Sequence, residues 1–339
     1  MDLEDFDFQL PDDLIAQSPP ADRSGARMLV VHRHEGRWED RTFRELPHFL
    51  HSGDCLVLND SRVFPARLFG HRAGRQGRVE VFLLRPMAGD GREWEALVRP
   101  GRKMPVGERI EFDGALEATV VGRGEFGERT IRFAGHGDLY EAFEEIGHVP
   151  LPPYIRRGDE ASDRERYQTV YAREKGSVAA PTAGLHFTPE VLADCRAAGA
   201  EVAYVTLHVG LGTFQPLHAE QVEQGKLHTE RYRITEENAA KMAAARRLVA
   251  VGTTSMRTIE STLREGEMRA QSGETDIFIY PGYAFRGAGA MLTNFHLPQT
   301  SLLLLVCAFA GKDLALAAYR HAVEQRYRFY SYGDCMLIV

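Results

Sequence analysis

Up to residue 65, and again beyond residue 188, short apolar runs alternate with amphipathic stretches. This spacing predicts strands over 28–32 and 54–58 with a short amphipathic helix over 42–50 between them. Further on, Thr188 suits an N-cap, Pro189 the first helical position and Glu190 the first turn, with Gly199 as the stop. Strands are predicted over 201–208, 248–252, 276–280 and 291–294. Helices are predicted over 235–247 and 255–264, and a third after Pro298. Repeated strand, polar loop and helix units imply an α/β fold built on a mostly parallel sheet, whose carboxyl edge collects the loops.

Between 66 and 134 the spacing changes to short β segments separated by glycine and charge, at 66–70, 77–84, 94–98, 109–112, 116–122 and 130–133. Strands this short with no helical period between them predict a small antiparallel β-barrel inserted into the larger unit. Helical spacing returns at 138–146, and the proline-rich 149–155 reads as a stiff extended return. The expected organisation is a discontinuous α/β catalytic domain, 1–65 and 150–339, interrupted by a barrel domain at 66–149.

Composition narrows the class. A 44% hydrophobic and 26% charged content in 339 residues fits a folded globular enzyme and argues against extended disorder. The opening MDLED has neither a basic nor an apolar leader region, and the apolar run 301–310 is half the length of a membrane span. Four scattered cysteines without a Cys-x-x-Cys pair fit a reducing cytoplasm. A net charge of −7 does not advertise nucleic-acid binding, yet arginines cluster at 62–78, 99–103, 156–166 and 320–328. Each cluster alone reads as a solvated face; together they leave a phosphate-binding surface open.

Four segments carry the candidate chemistry: 176–188 (GSVAAPTAGLHFT), 207–214 (LHVGLGTF), 251–257 (VGTTSMR) and 293–298 (TNFHLP). Small and hydroxyl residues at strand ends expose backbone N–H groups and side-chain donors, and this suits one composite site. In 251–257 a glycine turn leads into a helix start, so Thr254, Ser255 and Arg257 suit a carboxylate or phosphate. The Walker spacing is missing. His186, His208 and His296 suit proton transfer or substrate contact, with a hydrogen-bonded structural role and zinc ligation as alternatives. No His-Glu-x-x-His, Gly-x-Ser-x-Gly elbow or complete dinucleotide fingerprint is present, and no metal is expected.

At these segments the chain resembles the S-adenosylmethionine:tRNA ribosyltransferase-isomerase family of queuosine biosynthesis. The likeness also runs through 6–17 (FDFQLPDDLIAQ), 58–67 (LNDSRVFPAR), 147–155 (GHVPLPPYI), 165–171 (ERYQTVY) and 327–338 (YRFYSYGDCMLI). It implies an α/β domain with an inserted β-barrel. It also implies transfer and isomerisation of the ribosyl part of S-adenosylmethionine onto 7-aminomethyl-7-deazaguanine at the wobble position of a GUN-anticodon tRNA. Epoxyqueuosine-tRNA would form, with adenine and methionine released. S-adenosylmethionine would serve as co-substrate, with no tightly bound cofactor, in a cytoplasmic monomer whose barrel contacts tRNA.

On that reading, a shielded loop histidine, His186 or His208, removes the proton beside the sulfonium. The methionine carboxylate suits Thr254, Ser255 and Arg257, its amino group suits Asp60 or a backbone carbonyl, and adenine suits Asn294 or His296. Asn59, Arg62, Thr182 and Thr213 complete the expected substrate contacts. An S-adenosylmethionine-dependent RNA methyltransferase and a noncatalytic RNA-binding protein are the alternatives.

Overall fold

A computed structural model gives the fold over residues 2–113, 116–124, 127–135, 137–210, 217, 219–264 and 266–339. The strands in chain order begin with β1 (Arg27–His32), β2 (Arg37–Thr42), β3 (Asp54–Asn59) and β4 (Ser61–Val63). Six follow closely: β5 (Arg67–Arg72), β6 (Arg78–Pro86), β7 (Glu93–Arg99), β8 (Arg109–Phe112), β9 (Glu117–Arg123) and β10 (Glu128–Phe133). The last seven are β11 (Glu174–Ser177), β12 (Glu201–Leu207), β13 (Lys226–Ile234), β14 (Arg247–Val251), β15 (Gln271–Ile277), β16 (Ala288–Asn294) and β17 (Cys335–Ile338). The helices are α1 (Leu139–Ile146), α2 (Asp163–Arg166), α3 (Pro189–Ala197), α4 (Ala219–Gln224), α5 (Glu236–Ala244), α6 (Thr253–Arg264), α7 (Ser301–Ala310) and α8 (Lys312–Glu324).

Strands β5 to β10 close into a barrel in which every pairing is antiparallel. The others build a nine-stranded sheet in the order β15-β13-β12-β3-β14-β16-β17-β1-β2, apart from a small parallel pair of β4 and β11. This is the α/β architecture with a barrel that the spacing implies, with the parallel pairings concentrated at the centre. Strands β12, β3, β14 and β16 are mutually parallel, and β17 joins β1 in parallel. Strands β13 and β15 run antiparallel at one edge, β2 at the other, and β17 enters antiparallel to β16, so the whole sheet is mixed.

The central strands are covered on both faces, which is why they read as continuous apolar runs. Cys55 and Val57 of β3 join Met256, Ile259 and Leu303 in one core. Leu56 and Leu58, pointing the other way, join Phe43, Phe187 and Leu192 in the second. A third core fills the barrel around Trp94, Val98, Met104 and Ile131. The apolar α7 is buried in the first core, and no single helix among the described residues is long and apolar enough to cross a membrane.

Local signals held where they were stereochemical. Thr188 accepts from the Val191 N–H at 3.3 Å, and Thr235 from the Asn238 N–H at 3.4 Å. Other boundaries moved for identifiable reasons. The predicted helix over 42–50 is a 3₁₀ helix, Phe43–Phe49, because Pro47 inside it has no N–H to give an α-helical bond. The helix predicted to 247 stops at Ala244, since Arg247 starts β14 opposite Asp54 and its Nε donates to Asp54 Oδ1 at 2.9 Å. Strand β13, with alternating charged and buried residues, and strand β17 went unassigned in the sequence.

Candidate active site

Because β12, β3, β14 and β16 are parallel, their carboxyl ends at Leu207, Asn59, Val251 and Asn294 share one sheet edge. Three of the predicted motif segments, 207–214, 251–257 and 293–298, begin at these ends, and 176–188 begins at the end of β11, which pairs with β4. A cleft of about 290 Å³ opens there, walled by Thr182 and Ala183 of a 3₁₀ turn (Thr182–His186), Thr254 of α6, and Asn294 and His296 beyond β16. Tyr154, Tyr330 and Ser331 close the opposite wall. Chain connectivity at a strand's carboxyl end is a common way for α/β proteins to assemble such sites.

The N-terminus of α6 forms one end of the cleft. Gly252 takes φ +90°, a left-handed conformation that favours glycine, and its N–H donates to Leu292 O at 2.7 Å, which anchors the turn. Thr253 and Thr254 then line the cleft. The first-turn N–H groups of a helix have no intrahelical acceptor, and the helix dipole adds positive character there. Thr254 Oγ1 and Ser255 Oγ are buried without a hydrogen-bond partner among the described residues. An anionic group placed here gains donors that are otherwise unused.

Arg257 sits one turn deeper on α6, buried and ion-paired with Glu230 of β13. Its Nε and Nη2 have no partner among the described residues. Glu230 Oε1 also accepts from the Gly210 N–H at 3.0 Å, so one carboxylate joins the 207–214 and 251–257 segments. Glu230 was missed in the sequence, because it lies on a charged strand that carries no motif.

The three histidines separate. His296 lines the cleft and its Nε2 lies 2.8 Å from Thr293 Oγ1; burial holds its pKa down to about 3, so the ring is neutral. His186 lies behind the wall, facing a separate crevice of about 10 Å³ beside Pro20 and Arg23. Burial lowers its pKa to about 4. Its Nε2 is 3.0 Å from Asn294 Oδ1, while Asn294 Nδ2 donates to Tyr330 O at 2.8 Å and Ser331 O at 3.3 Å. Those two carbonyls orient the amide, so Oδ1 must accept and His186 carries its proton on Nε2. His208 is partly buried, and burial lowers its pKa; its Nδ1 has no partner among the described residues.

Asn294 thereby clamps a backbone turn in which Tyr330 takes φ +73°. That turn stacks the Tyr330 ring on Tyr154 with centroids 3.9 Å apart, while Tyr154 Oη bonds Ser331 Oγ. Tyr154, Tyr330 and Ser331 were not singled out from the sequence, although Tyr330 falls in the terminal segment that carries the resemblance.

The remaining expected contacts lie along the same edge outside the cleft lining. Asn59 pins strand ends: its Oδ1 accepts from Ser61 N and Leu207 N, both at 3.1 Å, and its Nδ2 donates to Leu207 O at 3.0 Å. Asp60 accepts from Thr206 Oγ1 at 2.7 Å, and burial raises its carboxyl pKa. Arg62 is half-buried on β4. Thr213 lies outside the described residues. The structure therefore brings Thr182, Thr254, Asn294 and His296 together in the cleft and leaves His186, His208, Asn59, Asp60, Arg62, Ser255 and Arg257 behind or beside it.

Comparison with known proteins accounts for the whole chain. The family model described as "Queuosine biosynthesis protein" matches residues 3–338. A protein of Solibacter usitatus (strain Ellin6076) named S-adenosylmethionine:tRNA ribosyltransferase-isomerase is 70% identical over 355 residues, covering 100% of both chains. One of the same name from Symbiobacterium thermophilum is 53% identical, again over 100% of both. The crystal structure of S-adenosylmethionine tRNA ribosyltransferase from Thermotoga maritima is 38% identical, with a TM-score of 0.57 over 99% of this chain and 100% of that one. These likenesses favour ribosyl transfer over methyl transfer or noncatalytic RNA binding. The chain belongs to the queuosine biosynthesis protein family, an enzyme family whose relatives here are S-adenosylmethionine:tRNA ribosyltransferase-isomerases.

Proposed function

We propose that the enzyme transfers and isomerises the ribosyl group of S-adenosylmethionine onto 7-aminomethyl-7-deazaguanine at the wobble position of a GUN-anticodon tRNA, releasing adenine and methionine. The observation that carries the site assignment is the cleft itself, where the start of α6 and the unpartnered Thr254 hydroxyl meet a neutral histidine and a stacked tyrosine pair.

In this reading the methionine carboxylate takes the N-terminus of α6, with Thr254 donating from the cleft lining and Ser255 and the Glu230-paired Arg257 supporting the helix start from behind. His296 accepts the proton from the carbon beside the sulfonium, because it alone of the three expected histidines lines the cleft. Thr182 contacts the ribosyl part and Thr293 orients His296. Asn294 and His186 hold the wall and touch no reacting atom. Asn59, Asp60, Arg62 and His208 support the sheet edge on the side of the incoming nucleotide, and the Asp60 carboxylate attracts the methionine or aminomethyl ammonium.

Residues 66–149 act as an inserted unit that contacts tRNA, and the enzyme works as a cytoplasmic monomer. The four free, buried cysteines suit that reducing compartment. Incubation with S-adenosylmethionine and tRNA carrying the deazaguanine tests the function. Adenine release with a nucleoside mass matching the epoxy product is expected; methylated RNA without adenine release would refute it.

A further inference from the structure

The barrel is rich in arginine, and five of its twelve arginines are already paired with carboxylates among the described residues. Across its strands Arg67 pairs with Glu80 at 2.7 Å, Arg72 with Glu108 at 2.6 Å, Arg85 with Glu95 at 2.5 Å and Arg109 with Glu117 at 2.6 Å. Arg132 meets Asp90 and Glu93. Such pairs cancel one another's field beyond a few ångströms and offer little to a polyanion.

Arg75, Arg78 and Arg123 are exposed without a carboxylate partner among the described residues, but the connection from β7 to β8 gathers three such cations within five residues. Arg99, Arg102 and Lys103 are all exposed, and none has a carboxylate within ion-pairing distance among the described residues. The segment is nonetheless ordered. Lys103 N donates to Pro100 O at 3.1 Å and Met104 N to Gly101 O at 3.2 Å, forming a 3₁₀ turn (Gly101–Lys103). Met104 is fully buried in the barrel core. From beneath, the buried Arg129 donates Nε to Met104 O at 2.9 Å and Nη2 to Gly101 O at 2.6 Å. A buried arginine thus holds the backbone while three other cations face water.

The arginine that holds this loop reaches toward the larger unit. Arg129 lines a crevice of about 230 Å³ together with Arg85 and with Arg231 of β13. The Arg231 carbonyl in turn accepts from the His208 N–H at 3.0 Å, at the sheet edge that carries the motif segments.

We propose that the Arg99–Lys103 turn is the barrel's anchor for the phosphate backbone of the substrate tRNA, a role resting on the tRNA-modifying function proposed above. Preordering by Arg129 and Met104 removes the entropy that a floppy basic loop would lose on binding. No carboxylate among the described residues pairs with these cations, and their charge is available to displace counterions from RNA. These contacts position the RNA and do not read its sequence.

The test uses the full chain and tRNA carrying the deazaguanine, with affinity measured between ~50 and ~200 mM salt. The double variant Arg102→Ala/Lys103→Ala is expected to melt as the wild type does, bind tRNA about tenfold more weakly near ~0.1 M salt, and lose roughly 1 unit of salt slope per contact removed. Its KM for tRNA rises while kcat and the KM for S-adenosylmethionine stay unchanged. An Arg109→Ala variant, which breaks an already neutralised pair, is expected to bind normally. Unchanged affinity and slope in the double variant overturn the anchor while leaving the function standing. An equal loss in Arg109→Ala overturns it too, because diffuse charge would then explain binding. A wild-type protein that neither binds nor converts this tRNA would overturn both proposals.

Discussion

His186 Nε2 and Asn294 Oδ1 lie 3.0 Å apart, both side chains buried, and this bond satisfies the amide oxygen that the Tyr330 and Ser331 carbonyls turn toward His186. The amide in turn holds the Tyr330–Ser331 backbone that forms the aromatic wall of the cleft. His186 is thereby a positioning residue. A His186→Gln variant keeps an N–H donor for Asn294 and is expected to retain most activity with an unchanged pH profile of kcat/KM. His186→Ala leaves a buried acceptor unpaired, at about 1–3 kcal/mol, and is expected to lower both stability and turnover. Loss of the acid-base limb of the profile in His186→Gln would instead identify a proton-transfer role.

His296 faces the cleft, so its loss acts on chemistry. His296→Ala is expected to lower kcat by roughly 10²–10⁴-fold, the range of general-base catalysis, while S-adenosylmethionine still binds. Equilibrium binding beside single-turnover adenine release separates the two effects. Full turnover in this variant would remove His296 from the mechanism.

Acid sensitivity follows from the same rings. In the unfolded chain a histidine titrates near 6.5, whereas burial keeps His186 neutral down to about pH 4. Between those values the unfolded state binds the extra proton, so this stabilising contribution is complete above pH 6.5 and is lost as pH falls toward 4. Each such histidine contributes a slope of about 1.4 kcal/mol per pH unit in that window. Denaturation of wild type and His186→Gln from pH 7 to 4 is expected to show the shallower decline in the variant. Parallel curves would mean that His186 does not carry it.

Glu230 neutralises Arg257 in a buried setting and holds Gly210. Glu230→Ala strands that guanidinium and is expected to destabilise the protein by about 3–5 kcal/mol, as removal of one partner of a buried pair does. Replacing both residues, Glu230→Ala with Arg257→Met, is expected to recover part of the loss, measured by urea denaturation.

Gly184 has no room for a side chain. A Cβ there would stand 2.1 Å from Tyr171 Oη. Gly184→Ala is expected to cost about 1–3 kcal/mol through overpacking. Tyr171 Oη has no hydrogen-bond partner among the described residues, so Tyr171→Phe is expected to be nearly neutral alone and to relieve the alanine variant. Additive losses in the double variant would show that the clash lies elsewhere.

What the sequence determined by itself was whatever depends on neighbours along the chain. The cap at Thr188, the apolar runs of the central strands and the short barrel strands all follow local rules of hydrogen bonding and spacing. The four motif segments were legible for the same reason, since strand ends in α/β folds gather at one edge. Thr182, Thr254, Asn294 and His296 accordingly meet in the cleft. Only the tertiary structure decided which histidine faces that cleft, because His186 and His296 have similar sequence surroundings and differ in the side of the wall they occupy. It likewise revealed that Glu230, on a charged strand with no motif, joins two loops, and that five barrel arginines are neutralised across strands while Arg99, Arg102 and Lys103 have no such partner among the described residues. Charge pairing and burial depend on contacts between residues far apart in the chain, and sequence spacing carries no measure of those distances.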